Sequence, residues 1–287
     1  MTGAILASAK RLRRFRPHAV IGVGGYGAVP TMVAATALGV PCAILEQNVR
    51  PGKANRFLAP VAARIYVQWP EARAAFPGCG NKTVVTGSPL RKRLRRMNQR
   101  DALRRFGLVA DRPTLAVVGG SQGADALNRG VVDGLDGLAA KLQIIHVAGK
   151  ENVDAVRDGY ARKGARAAVY DFVSDMDALY SAADLVLSRA GAMAIAELAA
   201  FETPSVLVPI ARSSGDHQRE NARAAAKSGG AILLEERDVR TGGLTPILEK
   251  LVRRDPQFKA MSLSLRSLAR PDAARMILED LERVVRR

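Results

Sequence analysis

Residues 115–130, LAVVGGSQGADALNRG, run from apolar and β-branched positions into Gly119, Gly120, Ser121, Gln122 and Gly123, then into an Ala/Leu-rich segment with helical spacing. Glycines let a backbone turn sharply without a Cβ clash. The helix that follows opens with N–H groups lacking intrahelical partners and with a partial positive charge. Ser121 can cap that helix or donate to a ligand oxygen. The assembly suits an anion, most naturally a phosphate; the plainer reading is a tight strand-to-helix turn. A second junction of this kind is SRAGAMAIAELAA, residues 188–200, where Glu197 is the lone acid. A carboxylate beside a nucleotide can accept hydrogen bonds from both ribose hydroxyls. A solvated helix glutamate is the competing reading.

Three further loops carry polar groups. In GVGGYGAVP, residues 22–30, the glycines do not fall in the Gly-x-Gly-x-x-Gly spacing of a dinucleotide site, so a loop lining an interdomain cleft fits better. In LEQNVRPGKANRFLA, residues 45–59, the polar Glu46, Gln47 and Asn48 follow a buried strand at the edge where open α/β sheets place ligands. Asn48 offers a donor and an acceptor, which suits an acetamido group, or it caps its own loop. DHQRENA, residues 216–222, opens a helix: Asp216 is a fair N-cap, Gln218 can bind sugar hydroxyls and His217 can titrate. His146 sits inside an apolar strand and reads as a core histidine, while His18 carries no motif.

These loops need elements to hold them. Strands are predicted within 18–25, 41–45, 63–68, 82–87, 114–120, 142–149, 166–172, 184–191, 204–210 and 231–235, with helical stretches between most of them. Strands apolar on both faces and separated by helices mean parallel sheets covered on both sides, an α/β doubly wound architecture. Residues 88–113, rich in charge and poor in β-branched side chains, mark the boundary between a first domain, 1–92, and a second, 93–287, whose last helix can pack back on the first. The first domain has about four strand candidates against about six in the second and opens on a helix at 5–15, so it is expected to lack its opening units.

Composition agrees. A chain of 287 residues with 48% apolar content suits two domains, and at 5% aromatics its cores must be built from Val, Leu, Ile and Ala. Two cysteines, Cys42 and Cys79, give neither a disulfide framework nor a metal-ligand spacing, as in a reducing compartment. No signal peptide is visible at Met1. Residues 19–45 carry no charge until Glu46, but their glycines, prolines and shifting pattern read as strand, loop, helix and strand rather than a membrane span. The net charge of +17 points to an anionic partner: nucleic acid, an anionic membrane or a phosphorylated substrate. KRLRRFR at 10–16 and RKRLRR at 91–96 are its densest blocks. Scarce aromatics and the absence of a nucleic-acid module argue against nucleic acid.

In order, GVGGYGAVP, LEQNVRPGKANRFLA, VVTGSPLR, GGSQGADALN, DFVSDMDALYSAADLVLSRAGAMAIAEL and PSVLVPIARSSGDHQRENA closely resemble the MurG family, from about residue 17 to 231. The resemblance implies a GT-B-like fold, two Rossmann-like domains facing a cleft. It implies inverting transfer of GlcNAc from UDP-GlcNAc to the muramoyl C4 hydroxyl of undecaprenyl-linked lipid I, at the cytoplasmic face of the bacterial inner membrane. It implies no cofactor and no metal. On matching positions, Ser121 and Gln122 would meet the diphosphate, with Arg91 supplying charge. Val173, after Phe172, would hold uracil through its backbone, and Glu197 would take the ribose hydroxyls. Ala192 and its neighbours would approach the sugar, Gln218 would bind GlcNAc hydroxyls, Asn48 would lie near the acetamido side, and Tyr26 would face the acceptor. The family's Gly-Gly-Thr-Gly-Gly-His type of loop has no counterpart before Ala19, so no catalytic residue is assigned. Leu45 stands at a usual histidine, Ser88 at an asparagine, Met193 and Ala194 at a Ser-Thr pair, and Ala28 at a serine. Two other readings stand beside transfer to lipid I: a UDP-sugar-binding module without catalysis, and a related GT-B transferase acting on another lipid.

Overall fold

Cys42–Glu46 and Gln143–Val147 are buried along their whole length, which forces helices onto both faces of the sheets that contain them. The computed structural model describes residues 1–92, 94–120, 124–211 and 214–286, and by its contacts the chain divides into two units. Unit 1 comprises Met1–Leu90, Ser214–Glu220 and Arg270–Arg287; unit 2 comprises Arg91–Ser213 and Asn221–Ala269.

In chain order, unit 1 begins with α1 (Thr2–Phe15), β1 (Val20–Gly22), α2 (Ala28–Ala37), β2 (Cys42–Glu46), α3 (Lys53–Leu58), β3 (Arg64–Val67) and β4 (Thr83–Val85). Its four strands pair in parallel in the order β1-β2-β3-β4. Unit 2 follows with α4 (Gln99–Arg105), β5 (Thr114–Val118), α5 (Asp125–Asp133), β6 (Gln143–Val147), α6 (Val153–Arg162), β7 (Arg166–Tyr170), α7 (Met176–Ala182), β8 (Leu185–Ser188), α8 (Ala192–Phe201) and β9 (Ser205–Leu207). Then come α9 (His217–Lys227), whose first turn groups with unit 1, β10 (Ala231–Leu233), α10 (Glu236–Arg240), α11 (Thr245–Val252) and α12 (Pro256–Leu268). The last helix, α13 (Ala273–Val285), belongs to unit 1.

The sheet of unit 2 has the order β10-β9-β8-β5-β6-β7, all parallel. The chain leaves β5 toward β6 and β7 on one side and resumes at β8 on the other. The loops after β5 and β8 therefore flank a topological switch point, where doubly wound sheets open a crevice for ligands. Register places Val118 beside Ser188, so the two glycine turns start side by side.

Within unit 1, α13 lays Ile277 and Leu281 on Ala43, Leu45 and Tyr66 of β2 and β3. Its Asp280 accepts from the Tyr66 hydroxyl at 3.0 Å and from Arg64 Nε at 2.8 Å. Burial and Asp280 push the Tyr66 phenol well up, so it stays a donor. Among the described residues no helix is long and apolar enough to cross a membrane.

Candidate functional site

The loop after β5 begins at Gly119–Gly120, and Gly120 takes φ +87°, a conformation L side chains rarely adopt. Ser121 and Gln122 lie outside the described residues. Helix α5 starts at Asp125 with Ala124 as N-cap and no side-chain cap bond from it. Farther along α5, Asn128 Nδ2 donates to Ala148 O, its Oδ1 accepts from His146 Nε2 at 3.0 Å, and Tyr160 Oη donates to His146 Nδ1 at 2.7 Å. The histidine is thus a core group, neutral, with burial pulling its pKa down to about 3. The network ties the helix behind the first glycine turn to the neighbouring strand.

The loop after β8 is held from two sides. Arg189 Nη1 donates to Glu236 Oε2 at 2.9 Å and to the carbonyls of Val208 and Pro209. Fully buried Asn221 donates from Nδ2 to Ala190 O at 3.3 Å. Gly191, extended, then caps α8 without a side-chain bond, and Ala192 is its buried first residue. One turn later Glu197 is mostly buried. Its Oε2 accepts from the Tyr180 hydroxyl of α7 at 3.0 Å, and Arg91 lies 3.8 Å from Oε1. Burial raises the Glu197 carboxyl above the ordinary glutamate range; Tyr180 and Arg91 pull it back and Asp177 pushes it up.

The structure brings Arg91 and Glu197 together directly, one as partner of the other. Phe172 and Val173 sit at the end of β7, three ladder steps from β8, about 14 Å at ordinary strand spacing. The exposed Phe172 has its N–H on Asp171, and half-buried Val173 leads into α7, whose N-cap is Asp175. A cavity of about 810 Å³ opens at the opposite edge of this sheet, where Pro113, Asp184 and Pro204 precede β5, β8 and β9. The strand order and glycine turns locate the ligand edge, and that cavity is not on it.

In unit 1, buried Glu46 at the end of β2 organises the next loop. Its Oε1 accepts from Asn48 N and Nδ2, and its Oε2 from Gly52 N at 3.0 Å and Asn55 Nδ2 at 2.8 Å. The Asn48 amide is thus turned inward to Glu46. The same loop receives the segment that opens α9: His217 Nδ1 donates to Arg50 O at 2.7 Å. Gln218, half-buried, is the next residue, so the Asn48 loop and the Gln218 segment are neighbours. Tyr26 is exposed in the loop after β1.

Sequence reasoning missed Tyr180 and Arg189. Each left a signal: a tyrosine inside an apolar helix needs a partner for its hydroxyl, and an arginine between a buried strand and a glycine turn needs acceptors.

Family models place these elements. The glycosyltransferase family 28 C-terminal domain matches residues 114–277 and its N-terminal domain matches residues 1–67. The chain is 36% identical over 279 residues to the UDP-N-acetylglucosamine–N-acetylmuramyl-(pentapeptide) pyrophosphoryl-undecaprenol N-acetylglucosamine transferase of Myxococcus xanthus, covering 96% of this chain and 71% of that one. It is 38% identical over 271 residues to the enzyme of the same name from Syntrophotalea carbinolica, covering 93% and 73%. The crystal structure of Acinetobacter baumannii MurG superposes with a TM-score of 0.81 at 30% identity, over 97% of this chain and 78% of that one.

The chain belongs to the MurG family.

It is a glycosyltransferase with the GT-B-like pair of Rossmann-like units that MurG shares. The structure of UDP-GlcNAc 2-epimerase from Neisseria meningitidis bound to UDP-GlcNAc, with a TM-score of 0.68 at 14% identity over 98% of this chain and 81% of that one, shares the fold alone. In the MurG-family fold of this chain, the first glycine turn, the Arg189-braced loop and Glu197 all stand at the switch point of unit 2.

Proposed function

We propose that this chain transfers GlcNAc from UDP-GlcNAc to the C4 hydroxyl of the muramoyl sugar of undecaprenyl-linked lipid I, inverting the anomeric carbon and releasing UDP. The observation that carries the reading is the pair of glycine turns side by side after β5 and β8, with Glu197 on the helix that follows the second and Arg91 facing it. As the sugar C1–O bond breaks, charge grows on the diphosphate. Backbone N–H groups at the start of α5 and α8 and the Arg91 guanidinium can meet it, and such fixed donors stabilise charge in the transition state more than in the ground state. The C4 oxygen attacks C1 from the face opposite UDP and passes its proton to water, directly or through a general base, as the new bond forms. Ser121 and Gln122 serve the diphosphate, Val173 the uracil, Glu197 the ribose, Ala192 and Gln218 the sugar, and Asn48 its acetamido side, with Tyr26 toward the acceptor.

Lipid I is anionic and sits in a membrane. Helix α1 supports a peripheral contact: Lys10, Arg11, Arg13, Arg14 and Arg16 are exposed together with Leu6 and Phe15. In the second basic block Arg96 faces Glu202 and Arg91 faces Glu197, so those two charges are partly spent inside unit 2.

The test is incubation of the purified chain with radiolabelled UDP-GlcNAc and a lipid I analogue. Disaccharide-lipid and UDP in equal amounts are expected. UDP-GlcNAc binding without product would leave a sugar-binding module, and product formed only on another lipid would assign a different acceptor.

A further inference from the structure

Glu197 has two oxygens and two competing neighbours. Oε2 receives the Tyr180 hydroxyl at 3.0 Å; Oε1 faces Arg91 at 3.8 Å, and the Arg91 side chain is largely solvent-exposed. An arginine offers a carboxylate a bidentate fork, and a glutamate captured that way has its lone pairs turned from anything else. The Tyr180 hydroxyl already occupies Oε2, which leaves Arg91 the other oxygen. The Tyr180 ring is buried against Phe201, with centroids 5.4 Å apart, and Thr203 donates to the Tyr180 carbonyl oxygen, so the phenol is fixed before any ligand arrives. Burial and Glu197 keep the phenol protonated, which settles the direction of the bond: tyrosine donates and glutamate accepts.

We infer that Tyr180 is a positioning residue for nucleotide recognition: its hydroxyl pins one oxygen of Glu197 and keeps Arg91 from taking both, leaving Glu197 oriented to accept from the ribose hydroxyls. The inference rests on the reading of Glu197 as the ribose acceptor. A pinned carboxylate discriminates a vicinal diol from a single hydroxyl, because one acceptor position goes unmatched when the 2′-hydroxyl is missing. The ribose preference of the donor site, rather than its general affinity, therefore depends on the Tyr180 hydroxyl.

The experiment measures dissociation constants of UDP and 2′-deoxy-UDP by calorimetry for the wild type, Tyr180→Phe, Glu197→Gln and Phe201→Leu, with a thermal melt of each. Wild type is expected to prefer UDP by about tenfold or more. Tyr180→Phe keeps the ring and is expected to bring that ratio close to one with little change in melting temperature. Phe201→Leu removes packing on the same tyrosine but no hydroxyl; it is expected to melt earlier and keep the ratio. A wild-type ratio in Tyr180→Phe, with the ratio lost in Glu197→Gln, overturns the role of Tyr180 and leaves that of Glu197 standing. No preference in the wild type, or a preference that survives Glu197→Gln, overturns the Glu197 reading and the inference with it.

Discussion

Glu197 titrates where its charge matters. Ionised, it can accept from hydroxyls on both oxygens; protonated, one oxygen becomes a donor, and burial lifts its pKa above the ordinary glutamate value. Acidification therefore protonates it sooner than an exposed glutamate, and if Glu197 holds the ribose, UDP affinity is expected to fall as it does. The terminal phosphate of UDP titrates too, near pH 6 on its own. The informative quantity is thus the difference between wild type and Glu197→Gln. Calorimetry at pH 8, 7, 6 and 5 should show wild type binding more tightly at pH 8, by about tenfold, with the gap closing toward pH 5. A constant gap would remove the carboxylate charge from recognition. At this scale the sequence was partly legible. Glu197 stood out as the lone acid on its helix, but its pairing with Arg91 did not, because the two are about a hundred residues apart and meet only through the path of the linker along α7. There Arg95 N donates to Asp177 and Met97 N to Ser181 Oγ.

Elements are held by a few buried groups that respond to pH and to added atoms. His146 stays neutral in the folded chain down to about pH 3, whereas in the unfolded chain it ionises near 6.5. Above pH 6.5 neither state binds the proton. Below it the unfolded state gains one that the folded state refuses, so stability falls by about 1.4 kcal/mol per pH unit from this ring. Urea unfolding at pH 7, 6 and 5 should show His146→Gln less acid-sensitive than wild type by about that slope, although less stable at pH 7. Gly87 is a second such point. It has φ +79°, and a Cβ built there lies 2.4 Å from Cβ of Arg270, just before α13. Gly87→Ala is expected to cost about 1–3 kcal/mol from backbone strain alone, more with the clash, read as a lower melting temperature. Strand positions were legible because β2, β6 and β8 are apolar on both faces, a pattern that outlasts ignorance of the rest of the fold. The attachment of α13 was open in the sequence, since its contacts join Tyr66 to Asp280 across the length of the chain. The inward turn of Asn48 to Glu46 was hidden for a different reason: two neighbouring polar residues in a loop do not reveal which of them is buried.

The whole molecule carries a net charge of +17, an excess that no set of internal pairs can cancel. On α1 the basic side chains are exposed beside apolar ones, and each Lys or Arg near an anionic leaflet contributes about 1 kcal/mol. Replacing Lys10, Arg11, Arg13 and Arg14 by glutamine should weaken sedimentation with phosphatidylglycerol vesicles by at least a hundredfold at 0.1 M salt, and wild-type binding should fall steeply by 0.5 M salt. Equal sedimentation of the two proteins would place the contact elsewhere or remove it.

The chain returns to unit 1 for α13 after completing unit 2. A recombinant piece made by cutting after Leu90 would strip the lid from Leu45 and Tyr66, while the remainder would trail an amphipathic helix whose Ile277 and Leu281 have lost their berth. Both fragments would present sticky apolar surface, so β2 and β3 are covered only after α13 has been synthesised. A dissection that follows space instead of order keeps 270–287 with 1–90, and any cut that leaves 91–269 whole still removes Ser214–Glu220 from unit 1.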